Sequence, residues 1–388
     1  MGDQTSAVEL RADPLALLRT RTSSKWATYP GDVLPMFVAE MDFPIAPEVS
    51  TRLVELVSRS DLGYDGGAAG VGEAFAGYAH DTWGWDFDPA DLSTTTNVVV
   101  ALTELLRAAI EPGDGVVINS PVYPPFFSLI REAGGTVVDV PLRETSPREW
   151  ELDLDGIEAA FAAGATAFVL CHPHNPLGLV HRREQLERLA DLAARYGVIV
   201  LSDEIHAPLT HRDAEFVPFL AASDAAHETG IAVSSASKAF NLPALGCAFW
   251  VSGGQTARSR IARLPESVTH RTGHFGAHAA AVAYSRSRAW LDSAVAAIES
   301  NRALLAELLA EQLPGAIYHE PRAGYLAWID FRPLGWGDDP AKRILDDGRV
   351  ALTPGRAFGH TGRGYARLNF ACSPEVLTEG IARIAALR

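Results

Sequence analysis

An α/β fold with a mainly parallel sheet between helices, followed by a smaller α+β unit, is predicted by three observations. From about residue 95 to 255, apolar runs of strand length alternate with amphipathic stretches of helix length. Most of these runs are apolar throughout, as strands buried on both faces are. After about residue 290 the alternation stops and separate helices and strands take over. Such alternation joins parallel strands through crossover helices.

In chain order, Pro35–Pro47 is rich in proline and turn residues and is expected to be an extended passage into the main domain. The strand candidates are Val116–Ser120, Thr136–Leu142, Ala167–His172, Val198–Asp203, Ile231–Ser235 and Cys247–Ser252. Arg183 to Tyr196 sets Leu186, Leu189, Ala190 and Ala193 on one face, a helix period. A helix over Asn301–Leu313 precedes Tyr325–Phe331, which alternates like a half-exposed strand. A further strand, Tyr365–Ala371, leads to a terminal helix, Pro374–Leu387, with Ser373 as its N-cap. The expected division is an N-terminal segment (1–46) partly joining the small domain, a large domain (47–288) and a small C-terminal domain (289–388).

The 388 residues are 47% hydrophobic and 21% charged, enough for a large core. Lys and Arg total 33 against 48 Asp and Glu, a formal charge of −15. A field of that sign repels phosphate backbones and anionic lipid, so neither nucleic acid nor a membrane is an expected partner. No stretch approaches the roughly 20 apolar residues of a membrane helix. Met1 to Asp13 is polar and acidic, unlike a signal peptide, so a cytoplasmic location is expected. Cys171, Cys247 and Cys372 are far apart and odd in number, which fits neither a disulfide framework nor a zinc spacing.

In sheets of this kind, ligands sit outside the carboxyl ends of the strands. Four polar clusters fall at those ends: Ser120-Pro121-Val122-Tyr123, Cys171-His172-Pro173-His174-Asn175-Pro176, Ser202-Asp203-Glu204-Ile205-His206 and Ser234-Ser235-Ala236-Ser237-Lys238. Singly, each has an ordinary explanation: a solvated lysine, a capping aspartate, turn chemistry, a packing aromatic. Their joint occurrence in this order asks for more.

Ser-Asp-Glu-Ile-His at 202–206 and Ser-x-Ser-Lys-x-Phe-Asn at Ser235–Asn241 resemble the fold-type I enzymes of the aminotransferase class I/II superfamily, which use pyridoxal 5′-phosphate (PLP). Val38-Ala39-Glu40-Met41-Asp42-Phe43, Gly63-Tyr64, Ser120-Pro121-Val122-Tyr123, His172-Pro173-His174-Asn175-Pro176 and Arg367-Leu368-Asn369 resemble its cystathionine β-lyase (C–S lyase) branch. The resemblance runs from about Lys25 to the C-terminus. It implies a large domain built on a seven-stranded, mainly parallel sheet.

It also implies roles. Lys238 would carry PLP as a Schiff base and shuttle the Cα proton. Asp203 would keep the pyridine nitrogen protonated. Asn175, with His206, would face the ring's phenolic oxygen, and Tyr123 would stack on the ring; Tyr123 and Asn175 would border the substrate too. Asn97, Val98 and Val99 open a helix whose free N–H groups suit a phosphate, with Ser235 and Ser237 as hydroxyl donors. Arg367 would grip the substrate carboxylate. A homodimer is implied, in which Tyr64 reaches the neighbouring cofactor's phosphate.

Two departures stand out. Many aminotransferases carry a phosphate-binding arginine eight residues after the lysine; here that residue is Gly246, an absence common in the C–S lyase branch. Leu177 stands where threonine is more usual, and is expected at the pocket rim. His172 and His174 alternate in an extended segment and would point the same way, but no third ligand motif accompanies them, so no metal is expected. His206 is expected at the site wall and His211 on the surface.

The implied reaction is α,β-elimination from L-cystathionine or a related cysteine S-conjugate, giving thiol, pyruvate and ammonia. Transamination is the alternative, since the two routes diverge late and fold alone does not choose between them. A PLP-binding regulatory protein is a remoter one: Lys238, Asp203 and Arg367 are all present, with no fused DNA-binding domain, basic arm or long linker.

Overall fold

The computed structural model describes residues 10–67, 69–146 and 149–387, so the first nine residues of the polar N-terminal segment lie outside the described residues. The main sheet has seven strands: β1 (Leu92–Thr95), β2 (Gly115–Ile118), β3 (Thr136–Asp139), β4 (Ala165–Cys171), β5 (Ile199–Asp203), β6 (Gly230–Ser234) and β7 (Ala248–Ser252). Their spatial order is β1-β7-β6-β5-β4-β2-β3. β7 runs antiparallel to both β1 and β6, and the remaining pairings are parallel. β1 is the strand of this sheet that periodicity missed: Leu-Ser-Thr-Thr has one large apolar residue and follows a proline-initiated turn.

The alternation of each strand serves two cores. Ala167, Val169, Ile199, Leu201, Ile231 and Val233 pack with Leu102 and Leu105 of α2 (Val98–Ala109). Phe168, Leu170 and Val200 pack with Leu186, Leu189 and Ala193 of α3 (Arg183–Tyr196). Every residue of β5 and β6 is buried, which accounts for their apolar runs. Register then gathers the strand ends: Cys171 lies opposite Asp203, and Asp203 opposite Val233.

A second sheet of four antiparallel strands comprises β8 (Ile317–His319), β9 (Leu326–Asp330), β10 (Thr353–Pro354) and β11 (Tyr365–Asn369), in the order β8-β9-β11-β10. β9 was expected to be half-exposed, yet all five of its residues are buried. Its Trp328 face is roofed by Tyr365, stacked with ring centroids 5.0 Å apart, and by the edge of Phe358 at 5.1 Å. The helix expected over Asn301–Leu313 is the second half of α4 (Arg288–Gln312). Its early turns bury Trp290, Leu291 and Ala294, and Asn301 donates to the Phe370 and Cys372 carbonyls just before α5 (Pro374–Ala385). Ser373 caps α5 by accepting from the Val376 N–H.

The N-terminal passage joins the small sheet's side of the molecule. Leu34–Pro35 pairs in parallel with Val350–Ala351, and the Asn369 N–H donates to the Met36 carbonyl at 2.8 Å. Among the described residues, no helix is long and apolar enough to cross a membrane.

Candidate active site

The strand-end clusters open onto one cavity of about 290 Å³ between the two sheets. Of the twelve site residues expected from sequence, ten line it: Lys238, Asp203, Asn175, His206, Tyr123, Asn97, Val98, Val99, Ser237 and Arg367.

Lys238 sits on the helical turn Ala236–Ala239, directly after β6. Its Nζ donates to the Ala39 carbonyl at 2.9 Å. Burial, with the Arg367 cation nearby, lowers its amine to about 8. Asp203 ends β5, is 4% exposed and accepts the Ile205 N–H at 3.2 Å. Burial raises it to about 7, against the pull of that bond and of Lys238. Such a carboxyl needs a cationic neighbour to stay ionised at neutral pH.

Arg367 projects from β11 of the small sheet. Its Nη1 donates to Asn175 Oδ1 at 3.0 Å, and its Nη2 to the Phe37 carbonyl at 2.9 Å and Thr353 Oγ1 at 3.2 Å. Its Nε is buried with no hydrogen-bond partner. No carboxylate pairs with this guanidinium among the described residues, and burial lowers it to about 10. A buried, unneutralised cation with a spare donor is a seat for an anion. His206 is pushed down to about 3 by burial and by Lys238 and Arg367, so its ring is neutral. Tyr123 stands opposite, its phenol raised by burial.

At the remaining wall, Asn97 caps α2 by accepting the Val100 N–H at 2.9 Å, which leaves the amides of Val98 and Val99 at the cavity. Ser235 and Tyr64 do not line it. The Ser235 hydroxyl donates to the Cys247 carbonyl at 2.7 Å and accepts the Ser237 N–H. Tyr64 is fully exposed on the surface. Gly246 has φ of +66°, a left-handed conformation that favours glycine over arginine.

Two placements correct the sequence expectations. Leu177 is not at the rim but fully buried in the core, because its loop turns inward. His211 is not on the surface: its Nε2 contacts the Gly324 carbonyl at 2.8 Å and its Nδ1 lies 3.0 Å from Arg302. His172 and His174 lie behind the cavity, each with Nε2 against a backbone carbonyl, of Val217 and Pro121 respectively. Sequence reasoning missed Cys171, Ile205 and Pro243 as wall residues, Val38 and Ala39 as a wall, and the side chains that hold those two in place.

The donor set fits pyridoxal phosphate: an amine lowered toward its neutral form, a buried carboxyl awaiting a cation, a helix N-terminus for a phosphate and an unneutralised guanidinium for a carboxylate. The sequence profile of aminotransferase class I and II matches residues 51–384. The chain belongs to that family. A Mycobacterium leprae protein provisionally named as a cystathionine beta-lyase is 39% identical over 389 residues, with 95% of each chain covered. Cystathionine beta-lyase of Corynebacterium glutamicum is 33% identical, covering 97% of this chain and all of that one. The PLP-bound C-S lyase from Staphylococcus hominis superposes with a TM-score of 0.90 at 26% identity, over 98% of each chain.

Proposed function

We infer that the protein is a PLP-dependent carbon–sulfur lyase acting by α,β-elimination on L-cystathionine or a related cysteine S-conjugate. The observation that carries the reading is the pairing of Lys238 with Arg367 across one cavity, in a chain whose full-length relatives include cystathionine beta-lyases. When bound, pyridoxal phosphate supplies the electron sink for the Cα electrons. Asp203 would face its ring nitrogen, Tyr123 its ring and Asn175 and His206 its oxygen, while the α2 N-terminus with Ser237 would hold its phosphate; Ser235, whose hydroxyl donates to the Cys247 carbonyl, would support Ser237 from behind.

The chain's own groups then do three things. Arg367 seats the α-carboxylate and so orients the Cα–H bond toward Lys238. The Lys238 amine, lowered to about 8, takes the Cα proton near neutral pH. Neutral His206 adds no competing charge beside Arg367. Departure of the thiol from Cβ completes the elimination, and the released enamine hydrolyses in water to pyruvate and ammonia.

The active assembly is a homodimer, with Tyr64 of each chain reaching the other's phosphate site. Five of the seven large hydrophobic residues exposed among the described residues, Ile45, Val54, Val57, Leu62 and Tyr64, fall in one stretch around α1 (Pro47–Ser58), which supports a covered face there. In this arrangement residues 47–288 form the cofactor domain, residues 289–388 the domain that presents Arg367, and the enzyme works in the cytoplasm.

The test is to mix purified protein with L-cystathionine and follow pyruvate and thiol without any keto acid. Equal release of both is expected. No release, with amino transfer appearing once a keto acid is supplied, overturns the lyase reading in favour of transamination.

A further inference from the structure

The cavity wall at Val38 and Ala39 is a strap of backbone whose carbonyls are gripped one after another. The Phe37 carbonyl accepts from Thr353 Oγ1 at 2.7 Å and Arg367 Nη2 at 2.9 Å. Asn369 Nδ2 spans the Val38 and Glu40 carbonyls, at 2.7 Å each. The Ala39 carbonyl accepts from Lys238 Nζ at 2.9 Å and the Tyr325 hydroxyl at 3.0 Å. Beyond it, Asn241 brackets Met41, and the buried Lys25–Asp42 ion pair, 2.7 Å apart, fixes the strap's end.

Two of these carbonyls differ from the others in what holds them. One donor on Phe37 and one on Ala39 is a group assigned above to the chemistry, Arg367 and Lys238. Both have other work once ligands arrive: an amine bonded to the cofactor no longer has its protons to give to Ala39, and a guanidinium that turns to a carboxylate loosens its hold on Phe37. At each carbonyl a second donor, without that duty, is already in place. Tyr325 is fully buried and does not line the cavity, so its hydroxyl is free to serve Ala39 alone.

We propose that Tyr325 and Thr353 are positioning residues, second donors that keep the strap at the cavity wall when Lys238 and Arg367 leave its carbonyls for cofactor and substrate. Asn369 keeps the carbonyls on either side of Ala39 in both conditions. The strap therefore keeps one shape through turnover, and Lys238 has the same carbonyl to return to each time its amine is released. The proposal rests on the assignment of Lys238 to the cofactor and of Arg367 to the carboxylate.

The experiment is hydrogen exchange of the peptide spanning residues 36–43, read by mass spectrometry in wild type and Tyr325→Phe, each as holoenzyme and after removal of the cofactor. Losing a single hydrogen bond should speed exchange about fivefold in the holoenzyme and less than about twofold without cofactor, where Lys238 still holds Ala39. Equal acceleration in both states, or none in either, overturns the proposal. Visible absorbance of the same samples reports whether cofactor is bound, so failure of the cofactor assignment is seen separately. In that event the comparison moves to Lys238→Met with and without Tyr325→Phe. The double variant must then exceed the sum of the single effects, and simple additivity overturns the proposal. Thr353→Val, an isosteric change, should raise the KM for amino acids severalfold while leaving cofactor content unchanged; loss of cofactor with unchanged KM counts against it.

Discussion

Asp203 and Glu204 are neighbours in the chain, both buried, and both raised by burial, to about 7 and about 8. They nevertheless belong to different regions. Glu204 turns into the layer behind the cavity, where its Oε1 accepts the Ser202 hydroxyl at 3.0 Å and the Phe219 N–H at 2.8 Å. Asp203 turns into the cavity and has one backbone N–H. The histidines divide the same way. His172 and His174 rest on carbonyls behind the wall, whereas His206 lines the cavity. Burial and an altered acidity are common to both regions; what marks the chemical one is polar capacity left open toward a shared space.

The comparison breaks most visibly at Lys238. Lys238→Ala should cut turnover by about 10⁴-fold or more, because the acceptor of the Cα proton is gone. The visible absorbance of the lysine-bound cofactor should vanish with the protein still folded; retained absorbance would falsify the lysine assignment. Next come the two carboxyls as a pair. Asp203→Asn should cost about 10²- to 10³-fold in kcat, since a neutral amide no longer stabilises a positive ring nitrogen. Glu204→Gln keeps an oxygen that can accept both of its hydrogen bonds, so activity should stay within about threefold. Comparable losses from the two changes would mean that open polar capacity does not separate the regions.

The histidines behind the wall give a smaller, pH-dependent effect. Burial lowers His172 and His174 from 6.5 to about 4. Between those values the unfolded chain binds more protons, so their contribution is intact above about 6.5 and drains away as pH falls toward 4. Asp203 and Glu204, being raised, contribute in the opposite sense: stability present at low pH and lost as pH rises through about 7 and 8. The clean measurement is thus a difference between two proteins. His174→Gln keeps a donor for the Pro121 carbonyl but cannot titrate. Its denaturation curves should show a shallower acid loss than wild type, by up to about 3 kcal/mol at pH 4. Parallel pH profiles would show that His174 is not a buried neutral group.

The strand-end clusters were legible because each lies in one continuous stretch, and sheet topology alone brings their ends together. Six of the seven strands of the main sheet and α3 were legible for the same reason, as periodic local patterns. What escaped depends on residues far apart in the chain. Tyr325 meets Ala39 across 286 positions and Lys238 meets it across 199, and nothing near either residue announces that contact. Leu177 was placed at the rim by its position in a motif, and His211 on the surface as the ordinary reading of a histidine outside the motifs. The direction each side chain takes is set by the small-sheet loop around Gly324 and by core packing, which no local pattern encodes.

The subtlest way to sharpen the comparison keeps every charge and changes only geometry. Arg367 holds three protein acceptors with its two terminal nitrogens and keeps Nε in reserve. Arg367→Lys retains a cation in the same buried place but replaces a planar fork with a single ammonium. If Arg367 simply supplied positive potential to the cavity, the variant would bind amino acids almost as well. If the fork itself seats the carboxylate, the ammonium cannot hold Asn175 and still present two parallel donors to the substrate. KM should then rise about tenfold or more, with kcat changing much less, since the groups that move the proton are untouched. Steady-state kinetics on one cysteine S-conjugate decides between the two, and a fall in kcat at constant KM would move Arg367 from seating the substrate to the proton transfer itself.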